Sequence, residues 1–233
     1  MKPPLNMAAA ERALAAVPLV ATRVEIADRD WSILAVGDQQ ALLDAADGFA
    51  HVPYGLLLWE SAVALARWIA ARPGMVAGRQ VIELGAGVGL AGLVAAGCGG
   101  IVTQSDHEPA ALALCSRNAA RNGVAAPAVL LADWRAWPTN TRYDVVLGAD
   151  VVYEREVHGV ILDLAGRLVQ PDGRLVIADP GRPHTLDVLA ALEDRGWRGE
   201  VTTVPVAALT PVPGGAQTVD VTIAELRPPR RVG

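Results

Sequence analysis

The sequence has little cysteine, no excess of basic residues and few charges for its length. Its two cysteines, Cys98 and Cys115, exclude a disulfide framework and favour a reducing compartment, so we expect a cytoplasmic location. A net charge of −5 gives no indication of a nucleic-acid or anionic-membrane partner. The hydrophobic fraction of 52% excludes a disordered chain and predicts a buried core.

Motifs of several common chemistries are also missing. There is no G-x-x-x-x-G-K-[ST], which argues against a P-loop nucleotide site, and no G-x-S-x-G, which argues against an α/β-hydrolase. His51, His107, His158 and His184 lack metal-ligand spacing, so no metal site is expected. Residues 84–105 carry no charge but are rich in glycine, so we interpret them as strand, turn, helix and strand, and predict no membrane span.

From residue 79 onward, short apolar runs alternate with helical stretches, which is the pattern of βαβ units and a parallel sheet. We therefore expect an α/β, Rossmann-like fold: a seven-stranded, mostly parallel sheet with helices on both faces and a C-terminal antiparallel hairpin. The expected strands are residues 81–84, 101–105, 128–131, 143–149, 174–178, 199–204 and 218–226.

The domain is predicted to span residues 51–226. It follows an N-terminal extension, residues 1–50, in which residues 23–36 suggest one or two accessory strands, and it precedes a tail, residues 227–233. The expected helices are residues 59–71, 89–96, 109–122, 154–169 and 185–195.

A glycine-rich turn follows the first of these strands: Glu83-Leu84-Gly85-Ala86-Gly87-Val88-Gly89. Its spacing is G-x-G-x-G, whereas a dinucleotide site requires G-x-G-x-x-G. Such a turn indicates that the backbone approaches something closely between a strand and a helix. A plain tight turn and an NAD site remain alternatives.

Acidic and aromatic residues after the neighbouring strands predict the ligand. Asp106 ends the next strand, where a carboxylate can accept both hydroxyls of a ribose. Glu83 at the mouth would repel a pyrophosphate but suit a positively charged amino-acid end. S-adenosylmethionine has that end, an adenosine and no phosphate. Trp134 could cover the adenine ring, with edge packing as its alternative role, and Asp133 could accept from the exocyclic amine.

The fourth strand is followed by Ala149-Asp150-Val151-Val152-Tyr153. Ligands of open α/β sheets bind at the carboxyl ends of strands, so Asp150 and Tyr153 should face the reacting centre. A helix cap at Asp150 with Tyr153 packed beside it is the alternative. The chain lacks the Asn/Asp-Pro-Pro-aromatic run of enzymes that methylate base or amide nitrogens.

Taken together, Leu58-Trp59 before a helix, ELGAGVGL, Asp106, Asp133-Trp134 and ADVVY resemble the seven-strand, class I, non-SET protein-lysine methyltransferases with an Asp-x-x-Tyr motif. The similarity covers about residues 52–225.

The segment Asp179-Pro180-Gly181-Arg182-Pro183 further resembles the branch that methylates the electron-transfer flavoprotein β subunit, whose bacterial relatives are described as nicotinamide-methyltransferase-like. Arg182 could meet an acidic substrate group or serve only the turn.

The resemblance implies a set of cofactor contacts and a reaction. The contacts implied are Trp59, Gly85, Ala86, Gly87, Asp106, Trp134 and Ala149, to which the glycine-rich turn adds Glu83 and Gly89, and the segment after the third strand adds Asp133. Asp150 and Tyr153 would orient the acceptor amine. The expected activity is methyl transfer from S-adenosylmethionine to a lysine of a protein substrate. A small-molecule N-methyltransferase acting on a nitrogen heterocycle or amine, and a cofactor-binding protein without catalysis, are the alternatives.

Overall fold

The computed structural model describes residues 5–49, 51–209 and 215–229, which form seven α-helices and nine β-strands. The helices are α1 Met7–Ala15, α2 Gln39–Asp44, α3 Glu60–Ala70, α4 Leu90–Gly97, α5 Pro109–Arg121, α6 Arg155–Leu168 and α7 Pro183–Asp194. The strands are β1 Leu19–Ile26, β2 Arg29–Val36, β3 Gln80–Leu84, β4 Ile101–Asp106, β5 Ala128–Leu131, β6 Tyr143–Ala149, β7 Val169–Asp179, β8 Arg198–Ala207 and β9 Thr218–Arg227.

Seven strands form the main sheet in the order β5-β4-β3-β6-β7-β9-β8. The first five run parallel, and β9 is antiparallel to both β7 and β8. This confirms the predicted α/β fold with its C-terminal hairpin. The chain order reverses between β3 and β6, and open parallel sheets bind ligands at that point, beyond the carboxyl ends of the strands.

Helices cover both faces of the sheet because the central strands are apolar on both sides. Neighbouring residues of β3, Val81 and Ile82, are fully buried and belong to opposite apolar clusters, as do Val145 and Val146 of β6. The first cluster packs under α3, α4 and α5, and the second under α6 and α7.

The accessory strands predicted within residues 23–36 are present as β1 and β2, an antiparallel hairpin that forms its own two-stranded sheet. Asn118 of α5 and Asn122, which follows that helix, bind the backbone of β2. Asn118 accepts from the Leu34 N–H at 2.8 Å, and Asn122 accepts from the Ser32 N–H at 2.8 Å. The Asn118 amide also donates to the Val88 carbonyl at 2.9 Å, so one side chain joins the hairpin to the glycine-rich turn.

The turn expected between α6 and the fifth parallel strand is instead a bulge within β7. Tyr143 pairs with Val169 and Val145 with Arg174, so residues 170–173 loop out of the register while the strand continues. Residues 210–214, between the two late strands, and the part of the predicted tail beyond residue 229 lie outside the described residues. No helix in the described part of the chain is long and apolar enough to cross a bilayer.

Candidate active site

Two glycines of the turn after β3, which we call the cradle, leave no room for a side chain. Gly85 and Gly87 have φ of 58° and 54°, the left-handed region that favours glycine. A Cβ on Gly85 would lie 3.0 Å from Cζ2 of Trp134. A Cβ on Gly87 would lie 2.7 Å from the carbonyl oxygen of Gly55. Both glycines are therefore required by conformation and by close neighbours.

Asp106, at the end of β4, secures this turn. Its Oδ2 accepts from the Gly87 N–H at 3.0 Å and its Oδ1 from the Glu108 N–H at 2.9 Å. The residue is 5% exposed. An ionised carboxylate has about four acceptor sites, so each oxygen can accept a further hydrogen bond such as one from a ribose hydroxyl.

Glu83 does not lie at the mouth of the site, and that part of the sequence prediction is wrong. The side chain is 2% exposed and points beneath the turn, where Oε2 accepts from the Gly92 N–H at 3.1 Å and from Gln104 Nε2 at 2.7 Å. Burial raises the pKa of Glu83 to about 7, against the lowering effect of these two donors. Glu83 ties β3 to α4 and β4.

Gly89, also predicted to contact the cofactor, precedes α4 with a left-handed φ of 83°. A Cβ there would lie 2.8 Å from both Cys115 Sγ and Gln104 Nε2. Gly89 thus lets α4 begin close to α5. The buried Cys115 thiol donates to the Gly87 carbonyl at 3.3 Å, and burial raises its pKa well above the ordinary value.

Tyr54-Gly55, in the segment just before α3, lies over the glycine-rich turn. No motif in the sequence predicted this position. The Gly55 backbone contacts the Gly87 backbone, and a Cβ on Gly55 would lie 3.7 Å from Asp106 Oδ2. Trp59 donates from Nε1 to the Tyr54 carbonyl at 3.0 Å and so holds this segment. Tyr54-Gly55 carries no motif that distinguishes it from an ordinary loop.

The other predicted cofactor contacts lie at the same edge of the sheet. Ala86 is 7% exposed and its N–H donates to the Ser105 carbonyl at 2.9 Å. Ala149 is the last residue of β6 and is half-buried. Trp134, half-buried, lies against Gly85, while Asp133 begins a short 3-10 turn and accepts from the Arg135 N–H at 3.0 Å.

Asp150 follows β6 in a left-handed conformation, with φ of 57°, and its N–H donates to the Ala178 carbonyl at 2.8 Å. It does not cap the next helix, because α6 begins at Arg155 with Glu154 before it. The alternative role of Asp150 as a helix cap is therefore excluded. Tyr153 is 43% exposed. Burial, and then the carboxylates of Glu154 and Asp106, raise the pKa of the Tyr153 hydroxyl.

Arg182 joins this end of the site. Its guanidinium forms an ion pair with Asp150, with Nη2 3.1 Å from Oδ2, and reaches Asp179 Oδ2 at 3.5 Å. Asp179 is fully buried and also accepts from the N–H groups of Gly181 and Arg182. The DPGRP run was the signal for this cluster, but sequence spacing did not reveal that Arg182 faces Asp150.

The described residues contain no group of His, Cys, Asp or Glu that could hold a metal ion. What the crevice does present is a glycine cradle, a carboxylate beside it and a charged Asp-Arg-Asp cluster across from it. A parallel sheet with the order seen here and these features at the switch point define the class I methyltransferase fold.

The family model described as "Lysine methyltransferase" matches residues 39–187, well over half of the sequence. The chain therefore belongs to the lysine methyltransferase family.

Curated relatives include three with informative names. The histone-arginine methyltransferase METTL23 of Rattus norvegicus is 33% identical over 54% of this chain and 58% of its own length. The protein N-terminal and lysine N-methyltransferase EFM7 of Eremothecium gossypii is 31% identical over 69% of this chain and 71% of its own length. The electron transfer flavoprotein beta subunit lysine methyltransferase of Danio rerio is 28% identical over 58% of this chain and 53% of its own length. The chain spans about half the length of most of the curated relatives it matches.

Among solved structures, the 16S rRNA N2 G1207 methyltransferase RsmC of T. thermophilus, in complex with AdoMet and guanosine, has a TM-score of 0.60. It is 19% identical, and the match covers 91% of this chain and 51% of that one. This likeness confirms the fold predicted from the sequence.

Proposed function

We propose that this protein is an S-adenosylmethionine-dependent N-methyltransferase that methylates a lysine side chain of a protein substrate. The observation that carries the proposal is Asp150: a carboxylate in a left-handed conformation at the tip of β6, held across the switch point from the Gly85–Gly87 cradle. Membership in the lysine methyltransferase family supports the same reaction.

The cradle and its carboxylate fit the cofactor. Gly85 and Gly87 fold the turn in a left-handed conformation in which a Cβ would collide with neighbouring residues, Asp106 keeps acceptor capacity for a ribose, and Trp134 offers an aromatic surface beside Gly85. When bound, S-adenosylmethionine supplies an electrophilic methyl group. Trp59, Ala86, Gly89, Asp133 and Ala149 complete the proposed binding residues, while Glu83 supports the turn from beneath.

The acceptor end must orient a neutral amine. A lysine has a reference pKa near 10.4, so its neutral form at pH 7.4 costs about 4 kcal/mol. Asp150 would accept one N–H of the amine and fix the direction of its lone pair. Tyr153 would favour positive charge near its ring face by roughly 0.5–2 kcal/mol.

The proposal is tested with methyl-labelled S-adenosylmethionine and a lysate of the source organism. We expect the wild type to label a protein band, with methyl-lysine recovered after hydrolysis, and Asp150→Asn to abolish the label. Asp163→Asn, the same change at a 63% exposed site on α6, is the matched control and should keep full activity. Since the chain has a single lysine, Lys2, a Lys2→Arg variant separates self-labelling from substrate labelling.

Each other distribution of label contradicts the proposal in a definite way. Label only in the small-molecule fraction supports an enzyme for a nitrogen heterocycle or amine. Recovery of methyl-arginine would show that the acceptor is arginine, the residue in the name of the METTL23 relative. No transfer at all, with cofactor bound, supports a binding protein. The electron-transfer flavoprotein β subunit is a proposed target on the DPGRP resemblance and one relative's name, and a cytoplasmic location remains a prediction.

Cofactor binding has its own test, independent of the substrate. Asp106→Asn keeps the size of the side chain and removes its charge. We expect it to lose about 2 kcal/mol of affinity for S-adenosylmethionine, because charge-assisted hydrogen bonds are lost. Calorimetric titration measures this, and an unchanged affinity would remove Asp106 from the ribose site.

A further inference from the structure

The ion pair between Arg182 and Asp150 has a consequence for the protonation of the substrate. Asp150 is about 10% exposed in its side chain and Arg182 32%, so the pair lies at the border between the buried sheet edge and the crevice. Water screens charges less there than at the surface, and the charge on Asp150 is felt by any group bound beside it.

An unpaired carboxylate is a poor partner for a nucleophilic amine. A negative charge within a few ångströms favours the ammonium form and raises the amine pKa by about 1–3 units. An ammonium has no lone pair with which to attack a methyl group. A methyltransferase that places Asp150 against its acceptor therefore needs a positive charge nearby that offsets it.

We propose that Arg182 is a positioning residue that holds Asp150 in place and offsets its charge, so that the acceptor nitrogen is bound in its neutral form. This role rests on the function proposed above. Together, Asp150, Asp179 and Arg182 carry a formal charge of −1, and without Arg182 they would carry −2.

The geometry suits arginine in particular. The fork of the guanidinium reaches two carboxylates, Asp150 through Nη2 at 3.1 Å and Asp179 through Nη1 at 3.5 Å. A lysine would present one point charge in place of this fork. Asp179 also accepts from two backbone N–H groups at 2.8 and 2.9 Å, so it remains bonded if Arg182 is removed.

Other charged or titratable groups face the same region, and they must be kept constant in a test. They are Tyr153 and Glu154 in the loop after β6, Arg155 and His158 on α6, His184 and Asp187 on α7, and Asp106 and Arg135 near Tyr153. Arg167 on α6 is the matched control, because it is 43% exposed and pairs only with Asp163 on its own helix among the ion pairs of the described residues.

The test is the pH dependence of kcat, between about pH 6.5 and pH 10, on the protein that takes the label from the wild type. We expect Arg182→Gln to be slower by about tenfold near pH 7.5, with a deficit that shrinks toward pH 10 as the amine loses its proton. Arg182→Lys should restore part of the neutral-pH rate. Arg167→Gln should match the wild type at every pH.

Two further measurements separate this role from a structural one. Arg182→Gln loses the ion pair and should unfold at a lower temperature, but still well above the assay temperature, and its calorimetric affinity for S-adenosylmethionine should be nearly unchanged. A deficit of the same size at every pH would overturn the inference and leave Arg182 as a support of the loop. A wild type that methylates no protein would instead overturn the proposed function, and the two failures are therefore distinguishable.

Discussion

Two places in the described chain put non-glycine residues in the left-handed region, and they have different causes. Ala27 and Asp28, with φ of 49° and 60°, form the exposed two-residue turn between β1 and β2. Asp150, with φ of 57°, lies after β6 and is mostly buried. A two-residue hairpin turn of type I′ requires positive φ at both central residues, so the backbone strain at Ala27 and Asp28 follows from local geometry alone.

Nothing in the local geometry of the loop after β6 requires the backbone strain at Asp150. The loop after β6 could relax if its only task were to connect a strand to α6, yet the Asp150 N–H is held by the Ala178 carbonyl and its carboxylate by Arg182. The difference teaches that backbone strain indicates function only where a polar network fixes the strained residue.

The strongest way to break this comparison is Asp150→Gly. Glycine relieves the left-handed strain, worth about 1–2 kcal/mol, which offsets part of the lost ion pair with Arg182. We expect stability to change little while methyl transfer falls by about 100-fold or more, as for loss of a positioned polar group. Labelled transfer and thermal unfolding measure the two effects. An active Asp150→Gly would reduce Asp150 to the same kind of strained turn as Ala27.

A second carboxylate, Glu83, sharpens the comparison because it is buried without strain. Burial raises its folded pKa from 4.5 to about 7, so the folded protein binds this proton more tightly than the unfolded chain. The free energy of unfolding should therefore fall, by about 3 kcal/mol from this group, as pH rises from about 4.5 to about 7, and level off above that.

Glu83→Gln isolates this contribution from other titrating groups. The glutamine can still accept from Gly92, so the loop is kept while the ionisation is removed. Urea unfolding at several pH values should show that the difference between variant and wild type grows toward neutral pH. If both proteins share one pH slope, Glu83 does not titrate with a raised pKa.

Glycines with positive φ provide a third comparison, between Gly87 and Gly123. Both are left-handed, at 54° and 63°, but a Cβ at Gly123 has no heavy atom within 4 Å, whereas at Gly87 it lies 2.7 Å from the Gly55 carbonyl oxygen. Alanine at Gly123 should cost only the strain, about 1 kcal/mol. Alanine at Gly87 should cost about 2 kcal/mol or more and weaken cofactor binding, since Gly55 must also move. Denaturant unfolding and calorimetry test this, and equal costs would contradict a tight cradle.

The sheet could be predicted from the sequence because its signals are local. Val/Leu runs, glycine turns and helix-starting prolines place β3 to β6 and α5 within a residue or two of their observed positions. The bulge at residues 170–173 could not be predicted, since Gln170-Pro171-Asp172-Gly173 is a standard turn sequence and only pairing with β6 keeps the strand continuous.

The side-chain directions at the site were harder to predict. Strand alternation alone did not show that Glu83 points under the turn, because its partners Gly92 and Gln104 come from a helix and a neighbouring strand. The contacts between Gly55 and Gly87, and between Arg182 and Asp150, join residues 32 positions apart. Such contacts depend on how the loops fold back over the sheet, which no local pattern specifies.

The smallest expected effect is at the hairpin itself, with Ala27→Gly. Glycine removes the left-handed penalty of alanine but gives the unfolded chain more freedom, and the two terms nearly offset, leaving a gain of about 0.5 kcal/mol. In a chain of this size such a gain raises Tm by about 1–2 °C. Methyl transfer should not change, because neither Ala27 nor Asp28 is among the proposed cofactor or acceptor residues. An altered rate in Ala27→Gly would show that the hairpin, which reaches the glycine-rich turn through Asn118, transmits strain to the site.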